Sequence, residues 1–95
     1  MTTILMVDDH ELIRSGLAGA FQASGEFEVV GQAGSVAEAL AAARKTHPDV
    51  VVTDVRLPDG SGLDIVRALR DERPEVGLVV LTMYAGDQQL VDASG

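Results

Sequence analysis

The chain has 95 residues, 46% of them apolar, which is enough for one folded domain with a modest core. Seven basic and fifteen acidic residues give a net charge of −8, which argues against nucleic acid or an anionic membrane as a direct partner of this segment. The chain has no cysteine, and its sequence contains neither a signal peptide nor an apolar run long enough to span a bilayer. We therefore expect a cytoplasmic protein without disulfides or thiolate chemistry.

Strand-like and helical patterns alternate from the start of the chain. Residues 3–7, TILMV, are a short apolar run that predicts a strand, and residues 10–24 then show the helical period. The apolar residues on one face of this helix are Ile13, Leu17, Ala20 and Phe21. Gly25 should end the helix, and residues 27–33, FEVVGQA, predict a second strand.

The alternation continues through the middle of the chain. Ser35 and Glu38 have the spacing of a capping box and should open a helix over residues 36–45, which Pro48 ends. Residues 50–52, VVV, are continuously apolar, as is typical of a central parallel strand buried on both faces.

The last third of the chain predicts one more helix and strand, then the start of another helix. Residues 56–62, RLPDGSG, predict a turn-rich loop in which Ser61 caps a helix over residues 63–72. Residues 77–82, GLVVLT, predict a fourth strand, and Asp87 should begin a fourth helix. Strands alternating with helices at this spacing predict an α/β fold, a doubly wound parallel sheet with helices on both faces.

Polar side chains stand where three of these strands end. Asp8 and Asp9 follow the first strand, Asp54 follows the third, and Thr82 ends the fourth. Because ligands of such sheets bind beyond the carboxyl ends of the strands, we expect these groups to share one crevice. Three carboxylates there repel one another, and a hard divalent ion such as Mg²⁺ would relieve the repulsion. An aspartate beside that ion can attack phosphorus, and the threonine hydroxyl can hydrogen-bond a phosphoryl oxygen.

The same residues also have simpler interpretations. Asp8 or Asp9 could serve only as the N-cap of the helix that follows. Thr82 could be an ordinary residue at the end of a strand. His10 is expected to be an exposed residue of the first helical turn, and His47 a C-terminal helix residue favoured by the helix dipole.

With these residues in place, the chain resembles the receiver domain of two-component response regulators. The positions that match the family pattern are Asp8, Asp9, Asp54, Pro58, Gly62 and Thr82. The stretches VDDHELIRSGL, PDVVVTDVRLPDGSGLDIV and VVLTMY are similar to the subfamily whose output domain is a LuxR-type helix-turn-helix. The resemblance covers residues 1 to about 93 and implies a flavodoxin-like sheet with strand order 2-1-3-4.

The resemblance also implies a role for each matching residue. Asp54 would accept a phosphoryl group from the phosphohistidine of a sensor histidine kinase. The ligands of Mg²⁺ would be Asp9 directly, Asp8 largely through water, Asp54, and the backbone carbonyl of Arg56. Thr82 would be the switch hydroxyl, while Pro58 and Gly62 would shape the loop after the acceptor strand.

The family pattern continues with a fifth strand, a fifth helix and a lysine at the phosphoryl site, and these have no counterpart in the chain. The sequence therefore predicts a single receiver domain over residues 1–95 that is incomplete at its C-terminus. It also predicts that residues 77–82 form an exposed apolar sheet edge, through which a homodimer or swapped oligomer would assemble.

The function implied is that of a phosphoacceptor signalling domain, which is not an enzyme and assists only its own phosphorylation. It would regulate transcription through an output domain not contained in these residues. The alternative is a receiver-like scaffold or dimerisation module that works without phosphorylation. A phosphatase of the haloacid dehalogenase type is disfavoured, because position 56 is arginine where that family needs a second aspartate. A flavin electron carrier is disfavoured by the absence of a phosphate loop after the first strand and by an aromatic content of 3%.

Overall fold

The computed structural model describes the backbone of residues 1–84 and 87–92 and the side chains of residues 1–80. Its elements in chain order are β1 (Thr2–Val7), α1 (Glu11–Ala23), β2 (Phe27–Ala33), α2 (Val36–Thr46), β3 (Val50–Asp54), β4 (Arg56–Leu57), β5 (Gly60–Ser61), α3 (Gly62–Glu72), β6 (Gly77–Tyr84) and β7 (Asp87–Asp92). The first three predicted helices and the first three predicted strands agree with these bounds to within two residues. The fourth predicted strand, β6, runs two residues further than expected.

Five strands form the main sheet in the order β2-β1-β3-β6-β7. The pairs β1–β2, β1–β3 and β3–β6 are all parallel, which confirms the predicted fold class and strand order. Val7 lies opposite Thr53, and Asp54 lies opposite Leu81. The residues that follow β1 and end β3 therefore meet at one edge of the sheet.

Alternate residues of β1 enter two separate core clusters. Leu5 and Val7 belong to the larger cluster, which includes buried residues of α2 and α3. Ile4 and Met6 belong to a smaller cluster, in which Ala18 of α1 is buried. Burial on both faces is what the continuous apolar runs of a central parallel strand predict. This burial fixes the position of β1, and therefore also the positions of the residues at its carboxyl end.

Helix α1 buries only part of its predicted apolar face. Leu17 and Phe21 pack against the smaller cluster as expected. Ala18 is buried, whereas Ala20 is exposed and Ile13 is 39% exposed. The helix therefore buries a narrower stripe than its apolar residues span, and Ala20 and Ile13 lie outside that stripe.

The predicted helix starts are confirmed, with one difference in detail. Ser35 Oγ accepts the amide of Glu38 at 3.1 Å, but the Glu38 carboxylate accepts the amide of Gly34 at 2.9 Å, so the reciprocal half of the predicted capping box is displaced by one residue. Ser61 caps α3 and forms a complete capping box with Asp64. Both helices thus begin at side chains that satisfy first-turn amides.

The helix predicted from Asp87 is wrong, because Asp87–Asp92 is strand β7 and pairs antiparallel with β6. A segment this short gains little as an isolated helix, whereas β6 offers a row of unpaired backbone groups. The exposed edge predicted for residues 77–82 is wrong for the same reason, since β7 covers it. The predicted homodimer or swapped oligomer depended on that edge, so this route to it is lost and the oligomeric state stays a prediction.

Candidate functional site

The acidic side chains predicted to meet do lie together at the carboxyl end of the sheet. Asp8 follows β1, its amide donates to the carbonyl of Ala33 at 3.0 Å, and its side chain is buried. Asp9 is exposed, and Asp54 is half-buried at the end of β3. One ligand atom from each of Asp8, Asp9, His10 and Asp54 falls within 4.8 Å of all the others. We call these four residues the acidic crevice.

The turn after β1 fixes the positions of Asp8 and Asp9. Asp8 Oδ1 accepts the backbone amide of His10 at 2.7 Å, a side-chain-to-backbone bond that closes the turn before α1. His10 is the N-cap of α1, and its side chain makes no capping bond. The interpretation of Asp8 or Asp9 as the N-cap of this helix is therefore wrong.

The histidine ring lies against both carboxylates of the pair. His10 Nδ1 is 3.2 Å from Asp8 Oδ1 and 3.0 Å from Asp9 Oδ1. The sequence predicted only an exposed first-turn residue, and the ring is indeed 65% exposed. The sequence did not predict the contact of this ring with the two carboxylates, although His10 directly follows Asp8 and Asp9 in the chain.

Arg14 holds the backbone of the acidic pair and was not singled out from the sequence. Its Nη1 donates to the carbonyl oxygen of Asp8 at 2.7 Å, and its Nε donates to Gln32 Oε1 on β2 at 3.1 Å. This guanidinium links the start of α1, the turn after β1 and strand β2. A charged donor to a carbonyl is among the stronger hydrogen bonds, so Arg14 restrains the position of Asp8.

The surroundings of Asp54 disfavour the ionised form of its carboxyl group. Burial raises the pKa of its carboxyl group, and the nearby charge of Asp8 raises it further, with a smaller contribution from Asp9. The backbone amides of Val55 and Arg56 oppose the shift without cancelling it. A cation placed among these carboxylates would remove the main electrostatic causes of the shift.

The loop after Asp54 is a small antiparallel hairpin of β4 and β5, with Pro58 and Asp59 between the two strands. The Asp59 carboxylate accepts the amides of Val36 and Ala37, at 2.7 and 3.0 Å, in the first turn of α2. These bonds lower the pKa of Asp59. The loop beside Asp54 is thus anchored to a neighbouring helix, a contact that the sequence did not reveal.

Gly62 allows α3 to begin against the acceptor strand. Its amide donates to the carbonyl of Val55 at 2.8 Å. A Cβ at this position would overlap the carbonyl oxygen of Asp54 and lie 2.9 Å from Thr53 Cγ2. Close backbone approach, rather than an unusual torsion angle, is therefore the reason for glycine here.

Two predicted site residues are placed only in part. Thr82 follows Leu81, the residue opposite Asp54 in β6, but the strand continues to Tyr84, so the prediction that Thr82 ends the strand is wrong. Its side chain lies outside those the structure describes, and its role as the switch hydroxyl stays a prediction. Arg56 begins β4 two residues beyond Asp54, and its role as a carbonyl ligand stays a prediction.

The donor atoms of the crevice suit a divalent cation. Three carboxylates supply the oxygen ligands that hard ions prefer, and one imidazole supplies a nitrogen. In the part of the chain that the structure describes, no helix has both the length and the apolar content needed to cross a membrane.

Comparison with known proteins identifies the family. The family model described as the response regulator receiver domain matches residues 4–94. The chain is 46% identical over 93 residues to the DNA-binding transcriptional activator DevR/DosR of Mycobacterium tuberculosis, covering 98% of this chain and 43% of that protein. It is 39% identical over 87 residues to the response regulator GacA of Pseudomonas viridiflava, covering 92% and 41%. The chain thus spans less than half the length of these curated relatives.

Solved structures agree with that identification. A LuxR-family two-component response regulator from Aurantimonas sp. SI85-9A1 aligns with a TM-score of 0.82 and 31% identity, covering 90% of this chain and 61% of that one. The non-phosphorylated HemR receiver domain from Leptospira biflexa aligns with a TM-score of 0.77 and 30% identity, covering 92% and 68%. With the sheet order, the crevice and these matches in agreement, the chain belongs to the receiver domains of two-component response regulators, the phosphoacceptor modules of those signalling systems.

Proposed function

We propose that Asp54 accepts a phosphoryl group from the phosphohistidine of a sensor histidine kinase, with Mg²⁺ bound in the acidic crevice. The observation that carries this proposal is the setting of Asp54 itself. Its carboxylate is half-buried at the end of a central strand, beside Asp8 and Asp9, with its pKa raised by burial and by their charges. A nucleophile needs this exposure to a substrate together with a fixed position.

The transfer is an exchange of one bond for another. An oxygen of the Asp54 carboxylate attacks phosphorus, the bond from phosphorus to the donor imidazole nitrogen breaks, and the electron pair stays on that nitrogen, which takes a proton from water. The product is an acyl phosphate. When bound, Mg²⁺ neutralises charge on the phosphoryl oxygens.

The chain's own residues divide the work of holding that ion. The proposed ligands are Asp9, Asp8 through water, Asp54, and the backbone carbonyl of Arg56. Two observations support this division: Asp9 is exposed, and Asp8 is buried with one oxygen already accepting the His10 amide at 2.7 Å. Thr82 would then hydrogen-bond the transferred phosphoryl group from β6, where it follows the residue opposite Asp54.

The output of the domain is proposed from its relatives. One of them is described as a DNA-binding transcriptional activator, and the aligned part is less than half of that protein. We propose that this receiver likewise controls transcription, through an output domain that lies outside these 95 residues. A cytoplasmic location stays a prediction from the sequence.

The test is phosphorylation by a small-molecule donor such as acetyl phosphate. With Mg²⁺ present, the protein should form an acid-stable, base-labile adduct of about one phosphoryl group per chain, as expected for an acyl phosphate. Asp54→Ala should form none. Asp49→Asn is the matched control, because Asp49 precedes the same strand at its other end, and this variant should react like the natural sequence.

The result that would overturn the proposal is a folded protein that forms no adduct, or an adduct that persists in Asp54→Ala. No adduct in a folded sample would favour the alternative function, a scaffold that works without phosphorylation. Circular dichroism on the same samples establishes that each variant is folded.

A further inference from the structure

The hairpin that follows Asp54 is joined at its tip to helix α2. Pro58 and Asp59 form the two-residue turn between β4 and β5. Asp59 Oδ1 accepts the amide of Val36 at 2.7 Å, and Asp59 Oδ2 accepts the amide of Ala37 at 3.0 Å. Because both oxygens of the carboxylate are used, the tip of the hairpin is held to the first turn of the helix at two points.

Helix α2 has a cap of its own besides this contact. Ser35 is its N-cap, and Ser35 Oγ accepts the amide of Glu38 at 3.1 Å. The two bonds to Asp59 lie at the surface, where water could accept from the same amides. What the Asp59 carboxylate adds is therefore a link between two elements, and this link restrains the hairpin as well as the helix.

The other end of the hairpin contacts the acceptor aspartate. The backbone amides of Val55 and Arg56 bond to the Asp54 carboxylate. Arg56 is also the first residue of β4 and pairs with Ser61 of β5. A pair of strands with two residues each has little stability of its own. The position of the two amides beside Asp54 therefore depends on the contacts that the hairpin makes with the rest of the protein.

These contacts divide the hairpin between its base and its tip. At the base, the amide of Gly62 donates to the carbonyl of Val55 at 2.8 Å, and Ser61 caps α3. In the middle, Leu57 is buried in the larger core cluster. At the tip, Asp59 makes the link to α2.

We propose that Asp59 is a positioning residue for phosphoryl transfer, which holds the backbone of Val55 and Arg56 against the Asp54 carboxylate by fixing the hairpin tip to α2. The inference rests on the proposed function, because it concerns the same acceptor. A displacement of about 1 Å at a reacting group can lower a rate on the order of a hundredfold. Loss of the link should therefore slow the reaction in a protein that stays folded.

The experiment compares two variants that each weaken the first turn of α2. Asp59→Ala removes the link to the hairpin, whereas Ser35→Ala removes the helix's own cap and leaves that link in place. Urea denaturation should show comparable losses of stability in the two variants. Asp59→Asn keeps one acceptor oxygen and serves as the milder change at the same position.

The first measurement is the rate of adduct formation with acetyl phosphate at saturating Mg²⁺. Asp59→Ala should react about tenfold more slowly than the natural sequence, and Asp59→Asn should fall between the two. Ser35→Ala should stay within about twofold of the natural rate, because its hairpin is still tied to α2.

The second measurement does not involve the reaction. Hydrogen exchange of the Arg56 amide, followed by nuclear magnetic resonance without phosphoryl donor, reports how firmly the hairpin is held beside Asp54. Exchange should be faster in Asp59→Ala than in the natural sequence, and Ser35→Ala should leave it nearly unchanged. A role of Asp59 limited to the stability of α2 would give the same exchange rate in both variants.

The outcomes separate this role from the proposed function. A folded Asp59→Ala protein with the natural reaction rate, or with unchanged exchange at Arg56, overturns the role of Asp59 and leaves the proposed function standing. Equal slowing in Ser35→Ala also overturns it, since the effect would then come from the helix and not from the link. A folded natural protein that forms no adduct overturns the proposed function, and the role of Asp59 falls with it.

Discussion

The two ends of the β1–β3 strand pair shift the pKa of an aspartate in opposite directions. At the amino end, the Asp49 carboxylate accepts the amide and the hydroxyl of Thr3, at 2.9 and 3.1 Å. These bonds lower the pKa of Asp49, with smaller help from the N-terminus and Arg73. At the carboxyl end, burial and a neighbouring carboxylate raise the pKa of Asp54.

The difference is one of environment: Asp49 lies just before β3 with a structural contact, whereas Asp54 ends β3 among other carboxylates. Asp49 has donors that satisfy its charge, so it joins two strands and needs nothing more. Asp54 also has two backbone amides as donors, those of Val55 and Arg56, but its burial and the neighbouring carboxylates outweigh them. Carboxyl groups with perturbed pKa values concentrate at functional sites, so this environment supports the proposed role of Asp54.

The largest expected effect concerns packing at the two ends. Gly62→Ala should lower the free energy of unfolding by about 3 kcal/mol or more, because the new Cβ overlaps the Asp54 carbonyl oxygen. Gly77→Ala, at the amino end, should change it by no more than about 1 kcal/mol, since its Cβ would lie 3.3 Å from a Val50 methyl group. Urea denaturation measures both. Equal losses for the two variants would show that the backbone at the carboxyl end of the strand pair is packed no more tightly than at the amino end.

The second effect is stabilisation by metal. Mg²⁺ at 100 times its dissociation constant should raise the free energy of unfolding by about 2.7 kcal/mol. Thermal or urea melts of Asp54→Asn and Asp8→Asn should show most of this gain lost, whereas Asp49→Asn should keep it. A gain that survives in Asp54→Asn and disappears in Asp49→Asn would reverse the assignment of the two ends.

A smaller effect is expected when each charge is removed without metal. Asp54→Asn should raise the melting temperature, because it removes a carboxylate that burial and Asp8 disfavour. Asp49→Asn should lower it, because the amide keeps the shape and loses the charge that Thr3 stabilises. The comparison is made by calorimetry at pH 7 in the presence of a chelator. A change of the same sign in both variants would contradict it.

The smallest effect is the pH dependence of these two differences. The folded pKa of Asp49 is lowered, so its stabilisation is present above its unfolded pKa of about 4 and is lost as the pH falls through the folded value. The folded pKa of Asp54 is raised, so its cost is absent below about pH 4 and develops as the pH rises through the folded value. Melts in chelator from about pH 3 to pH 7 should therefore show both variants diverging from the natural protein in opposite directions as the pH rises. Curves that stay parallel would contradict both shifts.

Much of this contrast could be predicted from the sequence, because strand ends follow from apolar runs. The apolar runs that form β1 and β3 are each followed by an aspartate, and parallel pairing of the two strands then brings Asp8 and Asp54 together. The fold class and strand order followed from the same alternation of patterns.

The contacts that define each end could not be predicted in this way. The bonds of Asp49 to Thr3 and of Asp59 to the first turn of α2 join residues far apart in the chain, and neither aspartate has a local pattern that names its partner. Strand β7 was missed because a short segment with few apolar residues fits a helix or a strand equally, and the free edge of β6 decides between them.

The most direct test of the central claim is to identify which aspartate becomes an acyl phosphate. The protein is phosphorylated with acetyl phosphate and Mg²⁺ and reduced with borohydride, which converts an acyl phosphate of aspartate to homoserine, and the product is sequenced by mass spectrometry. We expect homoserine at position 54 and at no other aspartate, with none formed when Mg²⁺ is removed by a chelator. Homoserine at Asp49, Asp8 or Asp9, or none at all in the folded protein, would contradict it.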